Sequence, residues 1–171
     1  MLFFQDKKIP LDITPIKINE TILDLKQSTN YLGLNIKSNL KWNQHIDYLT
    51  NKLHKYNSIL YLTRNCLTRS SLLTIYNSII YSCLTYSNVI WGHTTKANTN
   101  KIFTAQKKII RTIMYRNKFY HTNSDFLNLN ILKVNEINTY FSGIFVYKSL
   151  NNLSFPSNYF SSVDNLCPSY N

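Results

Sequence analysis

Apolar and polar residues alternate with a period of two near the start of the chain. Residues 16–19 and 23–26 each show this alternation, and Asn19-Glu20 lies between them. Successive side chains of a strand point to opposite faces, so this period is typical of half-buried strands. The pattern predicts a β-hairpin with its turn at Asn19-Glu20. A third strand is predicted from Tyr31 to Lys37, with alternate residues on its two faces.

Gly33 lies in the interior of this predicted third strand. Glycine weakens strand packing but lets another backbone come close, such as that of a nucleic acid. A bulge or a simple bend is the other interpretation, and the spacing alone favours it.

From Trp42 onward the apolar period becomes helical. One apolar stripe is formed by Trp42, Ile46, Leu49, Leu53, Tyr56 and Leu60. A flank about a quarter turn away carries Lys41, Tyr48, Lys52 and Lys55. A basic flank that includes an aromatic residue suits a phosphate backbone. The ordinary solvated face of an amphipathic helix has the same pattern, so both interpretations stay open.

Two further long helices are predicted in the centre of the chain. Thr68 is a candidate N-cap for a buried helix that uses Leu72, Tyr76, Ile79 and Ile80. A third helix starts near Asn98 and turns Ile102, Phe103, Gln106, Ile109, Ile110 and Ile113 inward. Its opposite face carries Lys101, Lys108 and Arg111, so that face is basic.

The remainder is predicted as a short helical turn over 123–129, a last helix over 135–152 and a loosely ordered tail over 154–171. The last helix is expected to pack through Ile137, Tyr140, Phe141, Ile144 and Phe145. The fold class is therefore predicted as α+β and mainly α, with a small antiparallel sheet at the N-terminus followed by a helical bundle.

Charge changes this picture, because the chain has no carboxylate between Asp47 and Asp125. The formal net charge is +11, and the sequence pI is about 9.6. Cations without acidic neighbours repel one another, so their retention favours a polyanionic partner whose counterions are released on binding. An A+T-rich coding sequence would also favour Asn, Ile, Tyr and Lys, and this second origin of the basic composition stays open.

The chain lacks the residue patterns that most catalytic and metal-binding sites require. Cys66, Cys83 and Cys167 are odd in number and widely spaced, which indicates neither a disulfide framework nor a zinc site. The four histidines fall at no ligand spacing, so no metal site is predicted. Reduced cysteines and the early charge at Asp6 favour an intracellular protein of the nucleus or cytoplasm over a secreted one.

Residues 70–92 carry no charged side chain and are long enough to span a bilayer. Several polar side chains interrupt this stretch, and each is costly in hydrocarbon unless it is paired. No membrane association is therefore expected.

A series of motifs occurs in the order seen in LINE-type elements. They are Tyr31-Leu32-Gly33-Leu34, Leu40-Lys41-Trp42, His45-Ile46, Leu72 through Tyr76, Ile79-Ile80-Tyr81, Trp91-Gly92, Gln106 through Arg111, His121-Thr122, Phe126, Leu129, Ile131-Leu132 and Phe145 through Lys148. With these residues the chain resembles the carboxy-terminal part of a non-LTR, jockey-like retrotransposon reverse transcriptase. The resemblance covers nearly everything from Pro15 to Phe160.

The resemblance implies a location within such a polymerase. Residues 1–40 are similar to the end of the catalytic palm with its primer grip, and 41–118 to the helical thumb. Residues 119–153 are then a helical extension, and 154–171 a tail. The expected partners are an RNA–DNA hybrid or another nucleic acid, and the palm and fingers of the parent polymerase.

The resemblance also assigns expected roles to individual residues. Tyr31, Leu32 and Gly33 match the primer-grip segment, which places Gly33 beside the terminal nucleotides of the primer. Lys52 and Lys55 match positions on a thumb helix expected near the duplex backbone. The face of the helix is inferred from the helical periodicity, which together with the basic face of the third helix gives Lys41, Tyr48, Lys52, Lys55, Lys108 and Arg111 as the expected backbone contacts. The chain departs from the family at Ser82, where Pro is usual, and at Ser87, where Gly is usual. A softer kink after Tyr81 and a longer second helix are therefore expected.

The catalytic Asp-Asp pair of the family has no counterpart here, so no catalytic residue is assigned. Mg²⁺ is expected only in the palm of the parent enzyme, and the fragment should not polymerise by itself. The family pattern extends beyond both Met1 and Asn171, so a truncated or decayed copy of an element is expected. The alternative functions are a non-enzymatic helical protein-interaction domain, a protein that associates with membranes through residues 70–92, and a relic without function.

Overall fold

A computed structural model describes residues 17–18, 21–22, 26–151 and 153 of the chain. β1 (Lys17–Ile18) and β2 (Thr21–Ile22) pair antiparallel, which confirms the predicted hairpin. The predicted turn residues Asn19 and Glu20 lie outside the described residues, and so does the predicted tail over 154–171.

The predicted third strand is confirmed over 34–37 only, because Leu32 and Gly33 form the turn of a second hairpin. β3 (Ser28–Tyr31) pairs antiparallel with β4 (Leu34–Lys37), and Leu32 and Gly33 form the turn between them. Their φ angles are +48° and +77°. Positive φ at both central residues is the geometry of the type I′ turn, whose twist matches that of the flanking strands.

α1 (Asn43–Thr63) buries most of the predicted apolar stripe. Ile46, Leu49, Leu53 and Leu60 are all in the core. The helical prediction at Lys41 is wrong, since the helix begins two residues later and Leu40 takes a left-handed φ of +51°. Lys41 therefore does not lie on the helix flank that carries Tyr48, Lys52 and Lys55, where the sequence pattern placed it.

The second helix begins as predicted and then changes its winding. Thr68 caps α2 (Arg69–Ile75) by accepting a hydrogen bond of 3.2 Å from the Ser71 amide. A π-helical segment (Tyr76–Tyr81) follows, and it continues into α3 (Ser82–Thr85). The wider π turn moves Ile79 off the buried face, so this residue is 41% exposed although it was predicted to be inside.

Ser82 and Ser87 behave differently in this region. The helix runs through Ser82, which agrees with the longer second helix expected when proline is absent. It ends at Thr85, and Ser87 just beyond it adopts the left-handed φ of +51° that glycine takes most readily. α4 (Asn88–Trp91) follows. Within the described residues, no helix has both the length and the apolar character needed to cross a bilayer.

α5 (Lys96–Ile113), α6 (Asn123–Asn128) and α7 (Val134–Leu150) complete the fold. α5 runs parallel to α1, as the contacts Asn43–Asn98 and Asn57–Thr112 show. All the residues predicted to face inward on α5 pack into the core, with Phe103 only half-buried.

The predicted packing of α7 is wrong in part. Ile137 is fully buried, but Tyr140 is 54% exposed and Phe145 is 39% exposed. α7 packs against α3, α4 and α5 through the start and one side of the helix, so several aromatic residues of its second half face outward.

A single core of buried side chains extends from Leu34 to Ile137. Gln106 lies fully buried within it and links three elements. Its amide nitrogen donates to the Tyr76 hydroxyl and to the Leu132 carbonyl, each at 2.9 Å, and its oxygen accepts from the Val134 amide at 3.0 Å. The predicted class is confirmed as α+β and mainly α, and the ranges 41–118 and 119–153 share this core.

Candidate nucleic-acid interface

The β3–β4 turn is held against the helical part of the molecule by one hydrogen bond. The Tyr86 hydroxyl, at the end of α3, donates to the Leu32 carbonyl at 2.6 Å. Leu32 itself is 70% exposed, and Tyr31 beside it is 62% exposed. The three residues predicted as a primer-grip segment therefore lie at the tip of a hairpin and not in the middle of a strand.

A cleft of about 400 Å³ separates this turn from the helices. We call it the turn cleft. Three parts of the chain line it: Leu32 and Gly33 of the turn, His45, Tyr48, Leu49 and Lys52 of α1, and Ser82, Cys83 and Tyr86 at α3. The structure thus brings two of the primer-grip residues together with Tyr48 and Lys52, which lie 15 or more positions away in the sequence.

Lys52 supplies the positive charge of the turn cleft. Its ammonium group lies 5.9 Å from the centre of the Tyr56 ring. Partial burial acts to lower the pKa of Lys52, but the interactions with Cys83, Tyr56 and Tyr48 together raise the pKa above its usual range. The side chain therefore remains cationic at neutral pH.

His45 lines the turn cleft and is only 5% exposed. It lies in an aromatic cluster, with ring-centre distances of 6.1 Å to Trp42, 6.5 Å to Tyr48 and 5.9 Å to Trp91. Burial lowers the pKa of His45, so the neutral imidazole is favoured at physiological pH. Among the described residues, its Nδ1 atom has no hydrogen-bond partner.

The other residues predicted to contact the nucleic-acid backbone lie apart from the turn cleft. Lys55 is exposed on α1, nearly one turn beyond Lys52. Lys41 lines a separate cleft that also contains Asp47 and Lys101. Lys108 is exposed on α5, and Arg111 donates a 3.0 Å hydrogen bond from Nε to the Tyr120 carbonyl. The basic residues therefore occupy several surfaces of the bundle.

Electrostatic pairing distinguishes these surfaces. Lys101 is paired with Asp47 at 2.7 Å, and Arg116 contacts the buried Asp125 at 3.2 Å. Lys52 and Lys55 form no ion pair with any described residue, and the turn cleft has no described carboxylate in its lining. Its positive charge is thus available to an anionic ligand.

Sequence reasoning missed His45, Ser82, Cys83 and Tyr86 as parts of this site. The last three come from a helix predicted to be the buried centre of the bundle. Each of these three residues lies at least 30 positions along the chain from both Tyr48 and Lys52. No spacing signal in the sequence connects residues that far apart, so only packing could place them together.

The described residues contain no cluster of three His, Cys, Asp or Glu side chains that could hold a metal ion. Comparisons with protein-family models, with curated proteins and with solved structures find no match to this chain. The similarity of its motifs to those of reverse transcriptases therefore stays a prediction from the sequence.

Proposed function

We propose that this chain binds the sugar-phosphate backbone of a nucleic-acid duplex, as the palm end and thumb of a LINE-type reverse transcriptase would. The ligand is an RNA–DNA hybrid, held by charge and shape without reading its sequence. The chain performs no nucleotidyl transfer by itself, since the motif for the catalytic aspartates is missing from its sequence.

One observation carries this proposal. The exposed β3–β4 turn and the cationic Lys52 border the same cleft, and the described residues around it include no carboxylate. Lys55 lies on the same side of α1, because three residues advance a helix by about 4.5 Å and 300°. A backbone that touches the turn can therefore also reach two unpaired ammonium groups.

The test compares two double variants that change the net charge equally. In the first, Lys52 and Lys55 are replaced by Gln. In the second, Lys96→Gln and Lys148→Gln change two exposed lysines outside the turn cleft. Hybrid binding is measured by fluorescence anisotropy over a series of salt concentrations.

We expect the first variant to reduce the slope of log K against log salt by about 2, since each neutralised phosphate contributes roughly 0.9. The second variant should leave the slope nearly unchanged. Equal losses of slope in the two variants would show that binding follows net charge and not this surface. A slope near zero for the wild-type chain would refute the proposal altogether.

A further inference from the structure

The turn cleft contains a polar atom that the fold itself does not satisfy. His45 Nδ1 is buried and has no partner among the described residues, although a buried polar group without a hydrogen bond is costly. His45 is one of the residues that line the cleft. A ligand whose hydrogen-bonding edge reached Nδ1 would remove this cost.

The walls of the turn cleft suit a planar ring. Tyr48 and Tyr86 are each 52% exposed and both line the cleft, and Leu32 adds apolar surface. Aromatic side chains bind unstacked bases by stacking, with little dependence on base identity. Lys52 at the same cleft supplies a cation for a phosphate group.

We propose that the turn cleft binds one unpaired nucleotide, with its base between Tyr48 and Tyr86, its polar edge at His45 and its phosphate at Lys52. The inference rests on the proposed function in one respect, namely that this nucleotide belongs to a nucleic-acid strand. A free nucleotide offers the same chemistry, so the experiment separates the two sources.

The size of the cleft suits a single nucleotide. A volume of about 400 Å³ is near the lower end of the range for small-molecule sites. A paired base is flanked by its partner strand and by stacked neighbours, so it cannot enter without leaving the duplex. The duplex would therefore lie outside, towards Lys55, and one unpaired residue would enter.

Neutral His45 has the properties that a base edge requires. A neutral imidazole has one donor and one acceptor nitrogen, and base edges present both kinds of group. Because a neutral imidazole can pair with a donor or an acceptor on the base, the site should bind more than one kind of base. Affinity should depend on whether a base is present and not on which base it is.

The test uses four ligands with the whole chain. They are a blunt RNA–DNA hybrid, the same hybrid with one unpaired 3′ nucleotide, the same hybrid with an abasic 3′ residue, and adenosine monophosphate. We expect the unpaired nucleotide to bind about tenfold more tightly than the abasic residue, which lies within the range for stacking of one base. This ratio is the readout.

Two variants test the assignment to this cleft. Ser82→Tyr places a ring in the cleft from an exposed position, so the ratio should fall to about one. His45→Phe keeps a planar ring and removes the unsatisfied nitrogen, so the chain should fold, which circular dichroism checks, while the ratio falls. Wild-type ratios in both folded variants would overturn the inference.

The outcomes separate this inference from the proposed function. Equal binding of the unpaired and the abasic hybrids overturns the nucleotide site, while salt-dependent binding of the blunt hybrid still supports the proposed function. Binding of adenosine monophosphate without binding of any hybrid supports the nucleotide site, assigns it to free nucleotides and refutes the proposed function.

Discussion

Leu32 and Gly33 are the two residues on which the shape of the candidate interface most depends. Both adopt the left-handed conformation, which costs roughly 1–2 kcal/mol for a residue with a Cβ atom and nothing comparable for glycine. Leu32 therefore bears a conformational cost, and the hydrogen bond from Tyr86 to its carbonyl holds the turn in place.

Substitutions in this turn should change stability in opposite directions. Leu32→Asn should raise the free energy of unfolding, because Asn-Gly is the favoured pair in type I′ turns. Gly33→Ala should lower it by about 1 kcal/mol. The added Cβ would lie 3.9 Å from Tyr86, an ordinary contact, so this loss is conformational. Urea unfolding measures both changes, and an unchanged stability of Gly33→Ala would contradict the turn geometry.

Tyr76 makes stability depend on pH in the alkaline range. Burial raises its pKa to about 12, although the hydrogen bond with Gln106 acts to lower it. The unfolded chain loses this proton near pH 10, while the folded chain keeps it. The contribution of Tyr76 to the free energy of unfolding should therefore be constant below pH 10 and should fall by roughly 3 kcal/mol as pH rises to 12.

The measurement is urea unfolding at several alkaline pH values. Tyr76→Phe should lose this part of the pH dependence, because phenylalanine has no proton to release. Tyr61→Phe is the control, since Tyr61 is 55% exposed and its replacement should leave the wild-type dependence in place. Parallel pH curves for wild type and Tyr76→Phe would contradict the assignment.

At the scale of elements, the approach of α7 to the end of α4 depends on Gly92. The Asn138 side chain donates to the Gly92 carbonyl at 3.0 Å. A Cβ atom at position 92 would lie 2.4 Å from Asn138 Oδ1 and 2.5 Å from the Asn88 carbonyl oxygen. The Asn88 carbonyl belongs to the backbone and cannot move aside as a flexible side chain can. Position 92 therefore favours glycine over any residue with a Cβ atom.

Two Gly→Ala variants should therefore change the free energy of unfolding in opposite directions. Gly92→Ala should destabilise the fold by about 1–3 kcal/mol, the usual cost of overpacking. Gly143→Ala, within α7, meets no atom within 4 Å and should stabilise the fold by roughly 0.5–1 kcal/mol through helix propensity. Thermal unfolding of the two variants decides the matter, and a neutral Gly92→Ala would show that α7 is not packed as closely as described.

For the whole molecule, the dominant property is its net charge of +11. The described ion pairs, Lys101–Asp47, Arg116–Asp125 and Lys133–Glu136, engage only a minority of the 19 basic residues. The remaining cations repel one another, and this repulsion opposes compaction. The melting temperature should therefore respond to ionic strength.

Raising sodium chloride from about 0.01 M to about 0.1 M shortens the Debye length from roughly 30 Å to roughly 10 Å. If screening of the repulsion raises the free energy of unfolding by about 1 kcal/mol, the melting temperature should rise by about 2–4 °C. The Lys96→Gln and Lys148→Gln double variant should show a smaller rise. A fall in melting temperature with salt would mean that ion pairs outweigh repulsion.

The predictability of the fold differed between local and non-local features. The capping by Thr68 and the buried stripe of α1 followed from spacing, because both depend on residues within a few turns of one another. The β3–β4 hairpin was missed because alternation continues through a two-residue turn without a break in the pattern. The winding of the π-helical segment, which exposes Ile79, has no comparable signal in the sequence.

The sequence by itself determined the class of the fold, the position of the helices and the cationic, carboxylate-free character of residues 48–124. These depend on composition and on local periodicity. Only the tertiary structure decided that the Leu32–Gly33 turn and Lys52 line one cleft, that His45 Nδ1 is buried without a hydrogen-bond partner among the described residues, and that Lys41, Lys108 and Arg111 lie elsewhere. The physical reason is that packing brings together residues too distant along the chain for any period to relate them.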